Sequence, residues 1–524
     1  MRHVLTLSLV LTLAAAATGR ADVRPASIFG DDMMLQRDQP IRVWGTAAPD
    51  EAVRVKLGNA EASTKADAEG RWLVTLPALK EGRGLELSVT GKNEVVVRNV
   101  ILGDIWFCSG QSNMEWSMGA SDAAEDIKTA DFPDIRRVKM RHVESARGEE
   151  DAPIGSPWKS CTPQTAGEFT AVGLYFARDL LAATGVPIGI IDDNWGGTSI
   201  EGWVTPEALE LVPELAAVAE ARRKALADHR AALPGRLDEI ERWVAVTRKA
   251  LAAETATERL PGPPAWPVIP NPGGWSQRYN AMVHPVVRFP IKGFLWYQGE
   301  SNGNEGDSYH HKMQALVKGW RKAWGRDDLP FYFVQLASFQ EPTDNPAGGD
   351  GWAKLREAQR HSLAMPHTGM AVITDTVPLA ARGDIHPRNK FDVGKRLARW
   401  ALNRDYGKAD VVPSGPLFKA LVVEGDKARV TFDHVGGGLM AGRKEGKQPA
   451  VEDAGGKLKR FAIAGEDKQW HWADAVIVGD AVVVSSPAVP KPVAVRYAFS
   501  MNPDGANLYN RAGLPASPFR TDDW

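Results

Sequence analysis

Four short segments of this chain carry more hydroxyl, imidazole, carboxylate, amide and glycine groups than a plain connection needs. They are Phe107-Cys108-Ser109-Gly110-Gln111-Ser112-Asn113-Met114-Glu115-Trp116, Asp193-Asn194-Trp195-Gly196-Gly197-Thr198-Ser199, Trp296-Tyr297-Gln298-Gly299-Glu300-Ser301-Asn302 and Gly383-Asp384-Ile385-His386-Pro387. Together they hold the parts of a serine esterase. A serine hydroxyl is too weak an acid to react unaided, so it needs a histidine to take its proton and a carboxylate to orient that histidine. N–H donors must also point at the tetrahedral oxyanion. The glycines at 110, 196, 197 and 299 permit close backbone approach, and Gln298 offers a side-chain amide donor.

Two serines compete for the role of nucleophile. Gly299-Glu300-Ser301-Asn302-Gly303 matches the G-x-S-x-G pattern formally, but that elbow requires an immediate strand-to-helix turn. The polar run Asn302–Asp307 delays any helix there. Ser112 instead follows a long apolar strand. Glu300 reads as a buried carboxylate holding its segment in place. His310 and His311 are adjacent, so on a helix they point about 100° apart and do not share a metal; they read as surface residues at a helix start.

The elements that must position these segments alternate between strand and helix. Largely apolar runs at Val100–Cys108, Val186–Ile191, Ile291–Trp296, Phe331–Leu336 and Met370–Thr374 have the character of central parallel strands. Helical patterns lie between and after them, at Val172–Ala183, Tyr309–Trp324 and Lys390–Leu402. This alternation predicts a doubly wound α/β domain over residues 101–405, whose ligands bind beyond the carboxyl ends of the strands. Residues 22–100 read as a small β-sandwich, from alternating runs such as Ala52–Leu57 and Gly70–Leu76. An Ala/Arg/Glu-rich stretch over about 206–259 reads as a pair of inserted helices, followed by a stiff Pro-rich segment, Leu260–Pro272. Residues 406–524 return to β.

Composition narrows the function further. Lys+Arg 63 against Asp+Glu 65 leaves a net charge of -2 over 524 residues, so no electrostatic footprint for nucleic acid or an anionic membrane is present. Eighteen tryptophans against eight tyrosines suit packing first and sugar stacking second. A basic start at Met1-Arg2-His3, an uncharged Val4–Ala17 run and small residues before Asp22 describe a secretory signal peptide over 1–21. The working protein is therefore expected outside the cytoplasm, periplasmic or extracellular, with no membrane attachment after cleavage. Two cysteines, Cys108 and Cys161, do not make a zinc site; that compartment allows a disulfide between them.

The four segments, in this order and over about 280 residues, resemble the sialate O-acetylesterase family of SGNH hydrolases. The resemblance rests on Gly110-Gln111-Ser112-Asn113-Met114, Trp195-Gly196-Gly197-Thr198, Trp296-Tyr297-Gln298-Gly299-Glu300 and Asp384-Ile385-His386-Pro387. It implies an SGNH-type domain flanked by β domains and removal of acetyl groups from an acetylated glycan, without metal or cofactor. By the same resemblance Ser112 is the nucleophile and one oxyanion donor. A backbone N–H in the Gly196-Gly197 pair, with Gly196 preferred, is the second donor, Gln298 the third, and His386 the general base. Many SGNH enzymes place the acid three residues before the histidine, whereas Asp384 is two before. Asp384 is favoured, and Asp375, at a strand end, is the alternative. A sialate pocket calls for an arginine, and Arg278 and Arg388 are available; an acetylated plant polysaccharide such as xylan or pectin is the rival substrate. A non-catalytic carbohydrate-binding protein is the rival of another class.

Overall fold

The computed structural model describes residues 22–253 and 274–524. The signal-peptide and Pro-rich expectations lie outside the described residues. The centre is one mixed sheet built on strand β1 (Glu94–Gly110), with β2 (Phe132–Met140), β3 (Ile154–Cys161), β4 (Ile188–Asn194), β5 (Gly293–Tyr297), β6 (Phe331–Val334) and β7 (Thr368–Ala371) in the order β3-β2-β4-β1-β5-β6-β7. All neighbours in this series are parallel except the edge pair β3 and β2. The order reverses at β1, so the crevice beyond its carboxyl end is where a ligand belongs.

Helices cover both faces. On one, α1 (Ala171–Thr184) and α5 (Lys390–Asp405) bury Phe176, Leu180, Leu397 and Trp400 with Trp106 and Tyr332 of the sheet. On the other, α3 (Ser308–Trp324) and α4 (Gly351–His361) bury Met313, Leu316, Trp320 and Leu355 with Phe107 and Phe294. Leucine and aromatic residues at three- and four-residue spacing make these stripes. The inserted stretch is one helix, α2 (Ala216–Ala252), where two were expected. Strong helix formers fill it on both sides of Pro234-Gly235, and the helix runs through that pair. Among the described residues, no helix is long and apolar enough to cross a membrane.

The N-terminal β region is continuous with the central sheet. The first part of β1 pairs with Gly82–Thr90, and its middle pairs with Met34–Gln36, so the expected boundary at 100/101 falls within a single strand. The C-terminal region forms separate small sheets around Val430, Phe461, Val482 and Tyr497. It is tied to the central domain by Arg356, which donates to the carbonyl of Ser500 at 2.7 Å, and by Gln335, which donates to Ser517 at 2.9 Å. Cys108 and Cys161 are both buried free thiols; the disulfide that the compartment allowed is not formed.

Candidate active site

Strand β1 ends at Gly110, whose φ of 136° suits glycine and whose Cβ would strike the backbone oxygen of Tyr297 at 2.1 Å. This close approach of β1 to β5 lets Gln111 act as the N-cap of a short helical turn, Ser112–Glu115. Ser112 therefore stands at the N-terminus of that turn, beyond the switch strand, and its N–H has no acceptor among the described residues. His386 lies on the loop before α5. Its Nε2 is 2.9 Å from Ser112 Oγ. Trp116 stacks on the imidazole at 4.8 Å and 18°, which fixes the ring plane.

Asp384 Oδ1 accepts the backbone N–H of His386 at 2.8 Å and stands 3.6 Å from Nδ1. The second distance exceeds a hydrogen bond, so the carboxylate shapes the loop and supplies nearby charge. Asp375, the alternative acid, is committed elsewhere: Arg396 donates to both its oxygens at 2.6 and 2.9 Å, and Tyr509 donates at 3.2 Å. Burial, and then the charge of Lys390, lower the His386 pKa below its ordinary value, against the opposing charge of Asp384.

The oxyanion donors expected from the sequence fare differently. Gly196 presses against Ser112, since a Cβ there would sit 3.2 Å from Ser112 Cβ. Its N–H, however, already donates to Glu115 Oε2 at 2.7 Å. Gly197 has φ 73° and is exposed, with open space around it. Gln298 is fully buried, and its Nε2 donates to Gln111 Oε1 at 3.1 Å, Thr198 O at 3.2 Å and Asn302 Oδ1 at 2.7 Å. Three acceptors for two hydrogens leave no free donor, so the amide expected to hold the oxyanion instead ties three segments together.

Ser301 is exposed, and its N–H donates to Gln111 Oε1 at 3.2 Å. It lies in a single 3-10 turn, and α3 does not begin until Ser308, so the elbow geometry is absent. Glu300 accepts from Asn113 Nδ2 at 2.5 Å, and burial raises its pKa. His310 is half-buried near the start of α3, within 3.0 Å of Ser362 Oγ and 2.7 Å of Gln314 Nε2. Arg278 pairs with Glu144 at 2.7 Å and lies over Trp195, whereas Arg388 is 62 % exposed and 3.9 Å from Asp384.

Several members of the site had little sequence signal. Glu115 Oε1 is 2.9 Å from His142 Nε2, and His142 stacks on Trp195 at 4.6 Å. Lys390 is wholly buried, donates to Asn113 Oδ1 and faces Trp116 and Tyr297 at 5.4 Å. Asn113, Glu115, Trp116 and Trp195 fell within the segments singled out above; His142 lay outside them. A cavity of about 360 Å³ opens beside His386 and Asp384, and Arg388, Leu379, Lys444 and Lys447 also line it.

Comparison with known proteins places the chain among carbohydrate esterases. Residues 271–403 match the family model described as carbohydrate esterase, sialic acid-specific acetylesterase. The chain is 28 % identical over 453 residues to the sialate O-acetylesterase of Homo sapiens, covering 79 % of this chain and 77 % of that one. It is 27 % identical over 563 residues to the sialate O-acetylesterase of Pongo abelii, covering 98 % and 96 %. The crystal structure of a carbohydrate acetylesterase from Xanthomonas citri superposes with a TM-score of 0.76 at 38 % identity, covering 96 % of this chain and all of that one.

Proposed function

The chain belongs to the sialate O-acetylesterase family and is an esterase hydrolase, and from that premise we propose that it removes acetyl groups from glycans by two-step acyl transfer through Ser112 and His386. The central domain is assigned to the SGNH type on its four segments. Ser112 Oγ attacks the acetyl carbonyl as His386 Nε2 takes its proton. The Ser112 N–H stabilises the oxyanion, joined by the Gly196 N–H once Glu115 moves aside. The sugar hydroxyl leaves with the proton from His386. Water, deprotonated by the same imidazole, then releases acetate from the acetyl-enzyme. Asp384 supplies the nearby negative charge. The sugar is proposed to lie in the cavity beside His386, and the leader pattern at 1–21 supports action outside the cytoplasm.

The observation that carries this reading is the 2.9 Å contact between His386 Nε2 and Ser112 Oγ. The test is acetate release by wild type and Ser112→Ala from O-acetylated sialic acid, acetylated xylan and an aryl acetate. Activity in wild type and its loss in the variant is the expected result, and the ranking of the glycans identifies the substrate. Retained activity in Ser112→Ala overturns the nucleophile. A wild type that releases acetate from none of the esters overturns the esterase reading and favours carbohydrate binding alone.

A further inference from the structure

Beneath the pair formed by Ser112 and His386 lies a charged cluster that the reaction scheme does not use. Lys390, the first residue of α5, is fully buried. Its ammonium donates to Asn113 Oδ1. Asn113 follows the nucleophile directly, and its Nδ2 donates to Glu300 Oε1 at 2.5 Å and to the carbonyl of Ile385 at 3.0 Å. Ile385 immediately precedes the base. One side-chain amide thus joins the turn carrying Ser112, the loop carrying His386 and the segment after β5, and Lys390 holds its oxygen.

A buried ammonium is costly unless it is compensated. Glu300 is a compensating carboxylate, with one oxygen that has no partner among the described residues. A neutral side chain of the same length would fill this space without the desolvation cost. A lysine here therefore calls for a role that needs its charge or its N–H donors.

We propose that Lys390 is a positioning residue of the esterase site, which holds Asn113 and through it fixes the Ser112 turn against the His386 loop. The inference rests on Ser112 and His386 being the reacting pair. The charge has a second consequence. Asp384 and Lys390 are the charged groups that act on the imidazole, with Arg388 facing Asp384 from its outer side and Glu300 facing Lys390 from beneath. Lys390 opposes protonation of His386 and Asp384 favours it. Burial lowers the Lys390 pKa to about 7, so the ammonium is charged across the acid limb; removing that charge raises the pKa of the base, and the acid limb of the pH profile moves to higher pH.

The test compares Lys390→Met, Lys390→Arg and Asn113→Ala with wild type on an aryl acetate, reading kcat, KM and the pH dependence of kcat/KM, with melting temperature as a folding control. Lys390→Met is expected to lose roughly 100-fold in kcat at nearly unchanged KM, the scale set by a misplaced reacting pair. Its acid limb is expected to move to higher pH, while Lys390→Arg keeps the limb in place. Asn113→Ala keeps the charge, so kcat should fall without that movement. A folded Lys390→Met with wild-type kcat, or with reduced kcat and an unmoved limb, overturns the proposal. If Lys390→Met does not fold, wild-type kcat in Asn113→Ala overturns it. Ser112→Ala separates the two levels: activity retained there sinks the mechanism itself, whereas an inactive Ser112→Ala beside a wild-type-like Lys390→Met sinks only the role of Lys390.

Discussion

Replacing Asp384 separates two contributions that a catalytic carboxylate usually makes together. Its Oδ1 accepts the His386 backbone N–H at 2.8 Å but lies 3.6 Å from Nδ1. Asp384→Asn keeps an acceptor for the backbone and removes the charge; Asp384→Ala removes both. At the observed separation, Coulomb attraction for an imidazolium is worth about 1 kcal/mol in water and about 4–5 kcal/mol at an effective dielectric near 20. About a third of the Asp384 side chain is exposed, so the value falls between these limits. About 2–3 kcal/mol corresponds to a loss of roughly 30- to 150-fold in kcat for Asp384→Asn. A fully hydrogen-bonded triad acid would give a loss nearer to roughly 10⁴-fold. Because Asp384 favours the protonated imidazole, removing its charge moves the acid limb to lower pH, opposite in sign to Lys390→Met. Steady-state hydrolysis of an aryl acetate across pH measures both quantities. A loss near 10⁴-fold, or a limb that moves to higher pH, would refute the reasoning.

Asp375→Asn should damage the fold more than the chemistry. It breaks a buried pair with Arg396, which costs about 3–5 kcal/mol and lowers the melting temperature. The folded fraction should keep kcat within roughly threefold; a hundredfold loss at unchanged stability would make Asp375 the acid instead. Asp193 tests stability against pH. Burial, with no hydrogen-bond partner among the described residues, pushes its carboxyl up to about 8, against an unfolded value of about 3.9. Because the folded pKa is the higher one, the stability it contributes is complete below about pH 4 and is lost as pH rises through about 8. The melting-temperature advantage of Asp193→Asn over wild type should grow across that window, and a constant offset would contradict it.

The apolar runs at Val100–Cys108, Val186–Ile191 and Ile291–Trp296 made the central strands legible, because strands buried on both faces leave an unbroken hydrophobic signature. Ser112 and His386 were legible as reactive types placed just beyond such elements. Strands β2 and β3 were not. Arg136, Arg137 and Lys139 interrupt the pattern of β2, and the compensation that makes them tolerable is remote in sequence: Arg137 and Lys139 both pair with Asp192 of β4. The choice between Asp384 and Asp375 also lay beyond local reading, since it turns on Arg396 in α5. Gln298 shows the same limit. An amide reads as a donor, but whether the donor is free depends on Gln111, Thr198 and Asn302, contributed by three segments of chain.

The charges around the base also fix where substrate must do work. Asp384 and Lys390 act on His386 with opposite signs, but Asp384 is partly screened by solvent and Lys390 is fully buried. Burial acts in the same sense as the lysine, so the imidazole is held in the neutral form that accepts a proton. A ready base does nothing for the oxyanion, which must be stabilised by N–H donors. With the Gln298 amide committed to its neighbours, the Ser112 N–H has no acceptor among the described residues and the Gly196 N–H is held by Glu115. A hydrogen bond to a charged acceptor contributes about 1.5–3 kcal/mol. On the proposed assignment, the acetyl group must therefore displace a carboxylate that His142 also holds, at 2.9 Å. Glu115 turns one oxygen to His142 Nε2 and the other to the Gly196 N–H, so the carboxylate that occupies this second donor is itself anchored by a histidine outside the reacting pair.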